Sequence, residues 1–207
     1  MKITFAVPEV TTSTFIVAVD RVPSDLSAVV PWRMPRPHRR AVARAIGTPR
    51  LEITVVPAGE EAPIPGLGRW PAESTGSRGR CEEDGGTPGQ DREHIVVSST
   101  APLAAQPGAA QAARAAARAL AAACRGTLLD ALTGQVIPYR PDHPAERDEF
   151  RLADDWLAWQ VTPGDGPACS AEDGSRLRVT GSGLARFGLP DLLLDGVAHA
   201  HRRCAVN

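Results

Sequence analysis

The side chains of this chain that could do chemistry are its histidines, cysteines and paired aspartates. His199, His201 and Cys204 stand close together near the C-terminus. Imidazole and thiolate are zinc ligands, and Cys169 or an acid could supply a fourth. The spacing matches no familiar zinc signature, and the tail from 198 to 207 is polar. We therefore predict a frayed, solvent-exposed tail, no metal and no other cofactor.

Cys169 is also a candidate nucleophile, because it follows a loop rich in glycine and proline. A reactive thiolate needs a neighbouring base or a helix N-terminus that lowers the pKa of the thiol. His94, His143 or His199 could be that base only if the fold brought one of them close. The G-x-S-x-G sequence of a nucleophile elbow is absent. An ordinary thiol in a loop is the simpler interpretation.

Asp154 and Asp155 precede Trp156 and Trp159. Acids beside indoles suggest a cleft that binds or hydrolyses sugars, where two carboxyl groups divide acid and base work. The stretch 150–161 fits either a strand or a helix. On a strand, adjacent side chains point to opposite faces, so these two acids could not flank one bond. A polar bend before a core strand is the simpler interpretation.

A basic stretch without any acid spans residues 33–50 and could contact phosphates, with Trp32 stacking on a base. Its charged or titratable members are Arg33, Arg36, His38, Arg39, Arg40, Arg44 and Arg50. No nucleic-acid motif surrounds them. Lys2 is the single lysine of the chain, which indicates a GC-rich coding bias toward arginine. We do not expect a nucleic-acid partner, and weak binding through 33–50 is only a second alternative.

The elements that must position these residues are organised around 93–139. The β-branched run at 95–97 predicts a strand, and the alanine-rich run at 109–124 predicts a helix. Further strands are predicted at 127–129 and 135–139, with a turn at 133–134. Strands on both sides of this helix could run parallel in one sheet with a right-handed crossover.

The two sides of this helix differ in polarity. Gln111, Arg114 and Arg118 form one stripe, which is predicted to face water. The small side chains on the opposite side should lie flat on a sheet; they are Ala113, Ala117, Leu120, Ala121 and Cys124. Gly126 is predicted to end the helix in the left-handed conformation.

Outside this unit, strands are predicted at 3–7, 12–19, 51–56, 177–180 and 192–197, and a helix at 36–46. The segment 58–92 is rich in proline and glycine and indicates a flexible linker. Near the C-terminus, Ser182 should cap a single helical turn that Gly188 closes. Leu184, Phe187 and Leu189 are then expected to fill the core.

The run Thr-x-x-Gly-Leu-Ala-Arg-Phe-Gly-Leu-Pro-Asp-Leu at 180–192 resembles one found in uncharacterised bacterial families classified as domains of unknown function. The stretch 95–134, with its strand, alanine-rich helix and Thr-Gly turn, is similar to the same families. The resemblance covers about half of the chain, from 93 to 197. It implies an α+β fold and carries no catalytic residues over.

Composition sets the remaining limits. The formal net charge is −1, and 43% of the residues are hydrophobic. The four cysteines form no C-x-x-C pair, and no apolar run reaches the length of a membrane span. The N-terminus does not resemble a signal peptide. We therefore expect free thiols, no membrane partner and a cytoplasmic location.

We predict an α+β fold with mixed or antiparallel sheets, one in each half and each covered by a helix. The predicted division is an N-terminal half at 1–57, the linker at 58–92, a C-terminal half at 93–197 and the tail at 198–207. The two halves could pack as one body, and they could also be a loose internal repeat of strand, helix and strand. The leading hypothesis is a non-enzymatic protein that binds another protein. The alternative is a small enzyme whose site, drawn from Cys169, His94 and Asp154, forms only in the fold.

Overall fold

The described part of the chain has an α+β fold with two antiparallel sheets and two α-helices, which confirms the predicted class. The structure is a computed structural model that describes residues 6–26, 34, 36–60, 92–140, 145–163, 176–198 and 201. The elements are β1 (Val10–Val19), α1 (Arg36–Ala45), β2 (Glu52–Val56), β3 (Glu93–Pro102), α2 (Gly108–Cys124), β4 (Thr127–Asp130), β5 (Gln135–Ile137), β6 (Ala158–Pro163), β7 (Arg176–Ser182) and β8 (Leu192–Ala198). No described helix has the length and apolar character to cross a bilayer.

The larger sheet has the strand order β2-β3-β1-β4-β5, with every pairing antiparallel. Its central strand is β1, whose residues Phe15 to Val19 are all buried. β1 and β2 precede the segment 58–92, whereas β3, β4 and β5 follow it. The expectation of one sheet in each half is therefore wrong, because a buried central strand needs partners on both edges and takes them from the second half.

β3 and β4 flank α2 in sequence and run in the same direction, as expected for a strand-helix-strand unit. They are not neighbours, because β1 lies between them and pairs antiparallel with both. α2 packs on β1, β3 and β4, and α1 packs on α2. The core therefore lies between the large sheet and α2, as the flat alanine face predicts.

The polar stripe of α2 is buried, so the prediction that it faces water is wrong. Only 7% of Gln111 and 1% of Arg114 are exposed, and the side chain of Arg118 is 13% exposed. Part of the segment 145–156 covers Arg114 with Glu146 and Trp156. Spacing identifies a polar stripe, but a guanidinium can be buried when a carboxylate from elsewhere pairs with it.

The C-terminal end of α2 differs from the prediction by one residue. Arg125, not Gly126, adopts the left-handed conformation, with φ of 53°. Gly126 is needed for space, since a Cβ there would lie 2.7 Å from Cγ1 of Val17 and 2.8 Å from the carbonyl oxygen of Ala18. The helix thus ends against the central strand, with a glycine at the point of contact.

The smaller sheet has the order β6-β7-β8. A 3-10 turn at Leu184–Phe187 follows β7. Its N-cap residue is Gly183, so Ser182 is not its cap. Gly188 closes it with φ of 72°, as predicted. Phe187 packs against the core, but Leu189 is 46% exposed and fills nothing.

The side chain of Arg186, in this turn, lies in the protein interior and has no exposed surface. Its Nε donates to the carbonyl oxygen of Gly183 at 3.1 Å, which holds the guanidinium inward.

The remaining expectations about individual elements have four outcomes. The strands predicted at 12–19, 51–56, 95–97, 127–129, 135–139, 177–180 and 192–197 and the helix at 36–46 are confirmed to within a few residues, as is the turn at 133–134. The strand at 3–7 is wrong where it is described, since Ala6 and Val7 are not in a strand. Most of 58–92 and of the tail lies outside the described residues. The ambiguous stretch is a turn at 152–155 that leads into β6.

Candidate functional site

A buried ion pair joins α2 to the segment that precedes β6. Nε and Nη2 of Arg114 each donate to one carboxylate oxygen of Glu146, both at 2.7 Å. Nη1 of Arg114 donates to the carbonyl oxygen of Asp154, also at 2.7 Å. Both side chains are almost fully buried. The planar, two-bond geometry is the arrangement in which arginine and carboxylate pair most strongly.

An indole covers one face of the planar guanidinium of Arg114. The guanidinium carbon of Arg114 lies 3.4 Å from the ring centroid of Trp156, within the range of a cation–π contact. Trp156 is fully buried and also packs edge-on against Phe15 and Phe187. These contacts fix the segment before β6 and the 3-10 turn onto the large sheet.

A second buried ion pair lies near the same indole, with the guanidinium carbon of Arg186 5.4 Å from the ring centroid of Trp156. Nη2 of Arg186 donates to both carboxylate oxygens of Asp130, at 2.6 and 2.8 Å, and neither side chain is exposed. Asp130 also accepts the backbone N–H of Leu132 at 3.0 Å. Burial lowers the pKa of Arg186, and the charge of Asp130 opposes that shift. This pair attaches the 3-10 turn to the end of β4.

Arg118 adds a third cation to these two buried carboxylates. Its Nε donates to the Glu146 oxygen Oε2 at 3.2 Å, so Glu146 serves both Arg114 and Arg118. Burial lowers the pKa of Arg118; Glu146 and Asp155 raise it, and Arg114 lowers it further. Within the described cluster, Arg114 and Arg118 therefore share one buried carboxylate, and Arg118 makes the single and longer of these contacts.

A cavity of about 650 Å³ opens on the far side of Arg118, between α2 and the β4–β5 pair. Its described lining consists of Arg118, Ala121, Ala122, Arg125, Gly126, Thr127, Leu128, Val136, Ile137, Pro138 and Tyr139. The helical members are spaced i, i+3, i+4 and i+7, which places them on one face of α2 and at its end. Alanine leaves space between helix and strands that a larger side chain would fill. The sequence indicated the flat face but not the cavity.

The two aspartates lie in a turn, not on a strand, so the argument that they point to opposite faces is wrong. Both line a polar pocket of only about 30 Å³ beside Glu146. The carboxylate of Asp154 pairs with Arg147 at 3.1 Å, and that of Asp155 pairs with Arg140 at 3.2 Å. The predicted role as a polar bend agrees with this arrangement.

The two indoles do not form a sugar cleft. Trp156 lies in the core, and a Cβ on Gly181 would lie only 2.7 Å from the ring of Trp159, so that ring covers the glycine of β7.

The candidate catalytic and metal-binding residues considered from the sequence are not brought together where they are described. His94 is buried in β3, where burial and then the charge of Arg92 lower its pKa. His201 is exposed. Cys169, His199 and Cys204 lie outside the described residues. Within the described ranges, no three histidines, cysteines or acids are placed to hold a metal ion.

The basic stretch is only partly a free surface. His38 is buried and its Nε2 bonds the carbonyl oxygen of Arg147 at 2.7 Å, so this residue holds α1 in place. Arg36, Arg40 and Arg44 are exposed and follow each other at intervals of four along α1. Arg33 and Trp32 lie outside the described residues.

Sequence reasoning missed the residues that build the buried cluster, namely Glu146, Asp130 and Arg186. Arg186 stands between apolar residues in the run at 180–192, and this apolar context is the feature of the sequence that could have indicated its burial. Glu146 lies in a polar break, where nothing local distinguishes it from a surface acid. No family model, no curated protein and no solved structure matches the chain. The resemblance to bacterial families of unknown function therefore stays a prediction.

Proposed function

We propose that this protein is a non-enzymatic interaction protein that binds a partner protein through the first half of β8. The observation that carries the proposal is the exposure of three consecutive leucines. Leu192, Leu193 and Leu194 are 45%, 60% and 42% exposed. A lone exposed leucine is ordinary. Along a strand, Leu192 and Leu194 point to one face and Leu193 to the other, so this strand exposes apolar side chains on both of its faces. Clustered exposed apolar surface of this kind marks a contact site.

The position of β8 supports this role. It is an edge strand of the smaller sheet and pairs only with β7 among the described strands. An unpaired edge offers backbone donors and acceptors to another chain. The ladder is irregular at Asp195 and Gly196, where two residues face one of β7 and Gly196 has φ of 73°. Such a bulge interrupts pairing, so the binding surface is confined to the three leucines.

The charges beside the leucines indicate the chemistry of the partner. Asp191 and Asp195 flank them, and both are exposed. Asp195 already pairs with Arg178 at 3.1 Å, and this hydrogen bond lowers the pKa of Asp195. We therefore expect an apolar partner surface with a basic group that faces Asp191. A bacterial cytoplasmic location also stays part of the proposal.

The small-enzyme alternative has less support. The described acids of the buried cluster are held in ion pairs with arginine, and Asp154 and Asp155 each face one. The oxygens of these carboxylates already accept hydrogen bonds from guanidinium groups, which leaves fewer acceptor positions for a substrate.

Weak nucleic-acid binding is a second candidate, which the exposed arginines of α1 favour. Three guanidinium groups on one side of a helix could contact successive phosphates. Retention on heparin tests it: elution should shift to lower salt when Arg40 is replaced by glutamine. Nucleic-acid binding through α1 would be ruled out if retention on heparin does not depend on salt concentration, or if it is unchanged in the Arg40 variant.

The main proposal is tested by quantitative capture from cells with three baits, the wild-type chain and its L193K and L152K variants. Leu152 is a matched control, because it is 45% exposed and lies outside β8. A partner should be retained by the wild type and L152K and lost with L193K. Titration of that purified partner against the three chains should reproduce the order.

Sedimentation of the wild-type chain alone asks whether the partner is a second copy. If it is, the wild type and L152K associate and L193K does not. The proposal would be refuted if the wild-type chain is monomeric and the L193K bait captures the same proteins as the wild type.

A further inference from the structure

The cavity between α2 and the β4–β5 pair has the features of a ligand site, and it is separate from the surface of β8. Its volume of about 650 Å³ falls within the range of small-molecule sites, roughly 300–1,000 Å³. Leu128, Val136, Ile137 and the small alanines of α2 line its walls. Tyr139, which is 67% exposed, also lines it. These surfaces would remove an apolar body from water.

The polar lining is one-sided in charge. Arg118 and Arg125 are cationic, and none of the described lining residues is acidic. Arg118 comes from the buried cluster, where it shares the carboxylate of Glu146 with Arg114. An anion in the cavity would therefore supply the counter-charge that Arg118 otherwise shares. Guanidinium groups bind carboxylates with two parallel hydrogen bonds, which favours a carboxylate over other polar groups.

One local effect acts against an anion. α2 ends beside the cavity, and a helix C-terminus carries about half a negative charge. That partial charge is smaller than the two full positive charges of Arg118 and Arg125. The carbonyl oxygen of Ala121 also accepts the N–H of Gly126 at 2.9 Å, which satisfies one of the exposed helix-end acceptors. The balance at the cavity remains positive.

Arg125 supports a binding role through its backbone. It is left-handed at the helix end, a position where glycine costs least. An arginine there gives up some stability and places a cationic residue on the cavity wall. We propose that this cavity binds a small organic monocarboxylate whose body is an aryl ring or a short acyl chain. Its carboxylate pairs with Arg118 and Arg125, and its body lies against β4 and β5.

The test uses 4-phenylbutyrate and octanoate, each compared with its uncharged amide, in titrations followed by the backbone amide signals of the ¹⁵N-labelled full chain. We expect saturable shifts at Leu128, Val136 and Ile137. Each acid should bind at least about tenfold more tightly than its amide, because only the acid pairs with guanidinium. Equal affinity of acid and amide, or the absence of shifts at these residues with both acids, would overturn the proposal.

Two pairs of variants locate the site. Ala122 lines the cavity and the exposed Ala123 does not, so A122W should abolish binding of acid and amide while A123W leaves it intact. R125Q should weaken binding of the acids about fivefold, as for a partly exposed charge, and leave the amides unchanged. R140Q is its control, since Arg140 lines only the small polar pocket. Equal effects within either pair would contradict the assignment.

Discussion

Removing one partner of the buried Asp130–Arg186 pair should destabilise the protein, and Asp130→Asn tests this. The substitution keeps the shape of the side chain and one oxygen as acceptor for the N–H of Leu132. It removes the charge and replaces the second acceptor oxygen with an NH2 donor. Both partners have no exposed surface, so the guanidinium of Arg186 would stay buried without a counter-charge.

The expected loss can be worked out from the geometry. Unit charges about 4 Å apart attract by about 4 kcal/mol at an effective dielectric constant of about 20. Removing one partner of a buried pair costs about 3–5 kcal/mol in other proteins. The asparagine still accepts one hydrogen bond from Arg186. We therefore expect the free energy of unfolding to fall by about 3 kcal/mol.

Urea unfolding followed by circular dichroism measures this loss. Asp20→Asn is the matched control, because Asp20 pairs with Arg92 at the surface with its side chain 91% exposed, and it should not change stability measurably. The double variant D130L/R186M should recover most of the loss, since apolar groups can replace a buried ion pair at little cost. If the free energy of unfolding of D130N lay within about 1 kcal/mol of the wild-type value, Asp130 would not be the counter-charge that the buried Arg186 requires.

Three further predictions concern stability. Gly126→Ala should cost about 1–3 kcal/mol because a Cβ meets the central strand, whereas Gly108→Ala, with open space around it, should be neutral or better in urea unfolding. Burial lowers the pKa of His94 below its ordinary value of 6.5. The unfolded chain therefore binds this proton more readily, and stability should decline as pH falls through 6.5; H94Q should reduce that decline and H201Q should not. Arg125→Gly should raise the free energy of unfolding by about 0.5–1 kcal/mol.

Each of these has an outcome that would contradict it. Equal stability of the two glycine variants would mean that residue 126 has room for a side chain. A pH dependence that H94Q leaves unchanged would assign the decline to other groups. A loss of stability in R125G would show that the arginine stabilises the helix end, and the argument for a binding role of Arg125 would then fail.

The sequence indicated the elements well because their causes are local. The strand at 95–97 follows from β-branched residues, and the helix at 109–124 from alanine. Gly188 ends its turn as expected because a positive φ is a property of one residue. Prediction failed at Gly126 and Arg125, since it assigned the glycine to the helix end when the central strand required its small size.

The candidate site was much less predictable, because its partners are far apart in the chain. Arg114 and Glu146 are 32 residues apart, and Asp130 and Arg186 are 56 apart. Hydrophobic periodicity assigns an arginine to the polar side of a helix and carries no information about a distant carboxylate. For this reason the spacing predicts that Arg114 faces water, whereas the fold buries it against Trp156.

The sequence by itself therefore determined the strands, the helices and the α+β class, because neighbouring residues decide backbone conformation and amphipathic pattern. Only the tertiary structure decided the sharing of one sheet by both halves, the burial of three arginines with two carboxylates, and the cavity beside Arg118. Those features depend on which distant segments exclude water together. The free energy of placing a charged or apolar side chain depends more on whether water is excluded around it than on its neighbours in the chain.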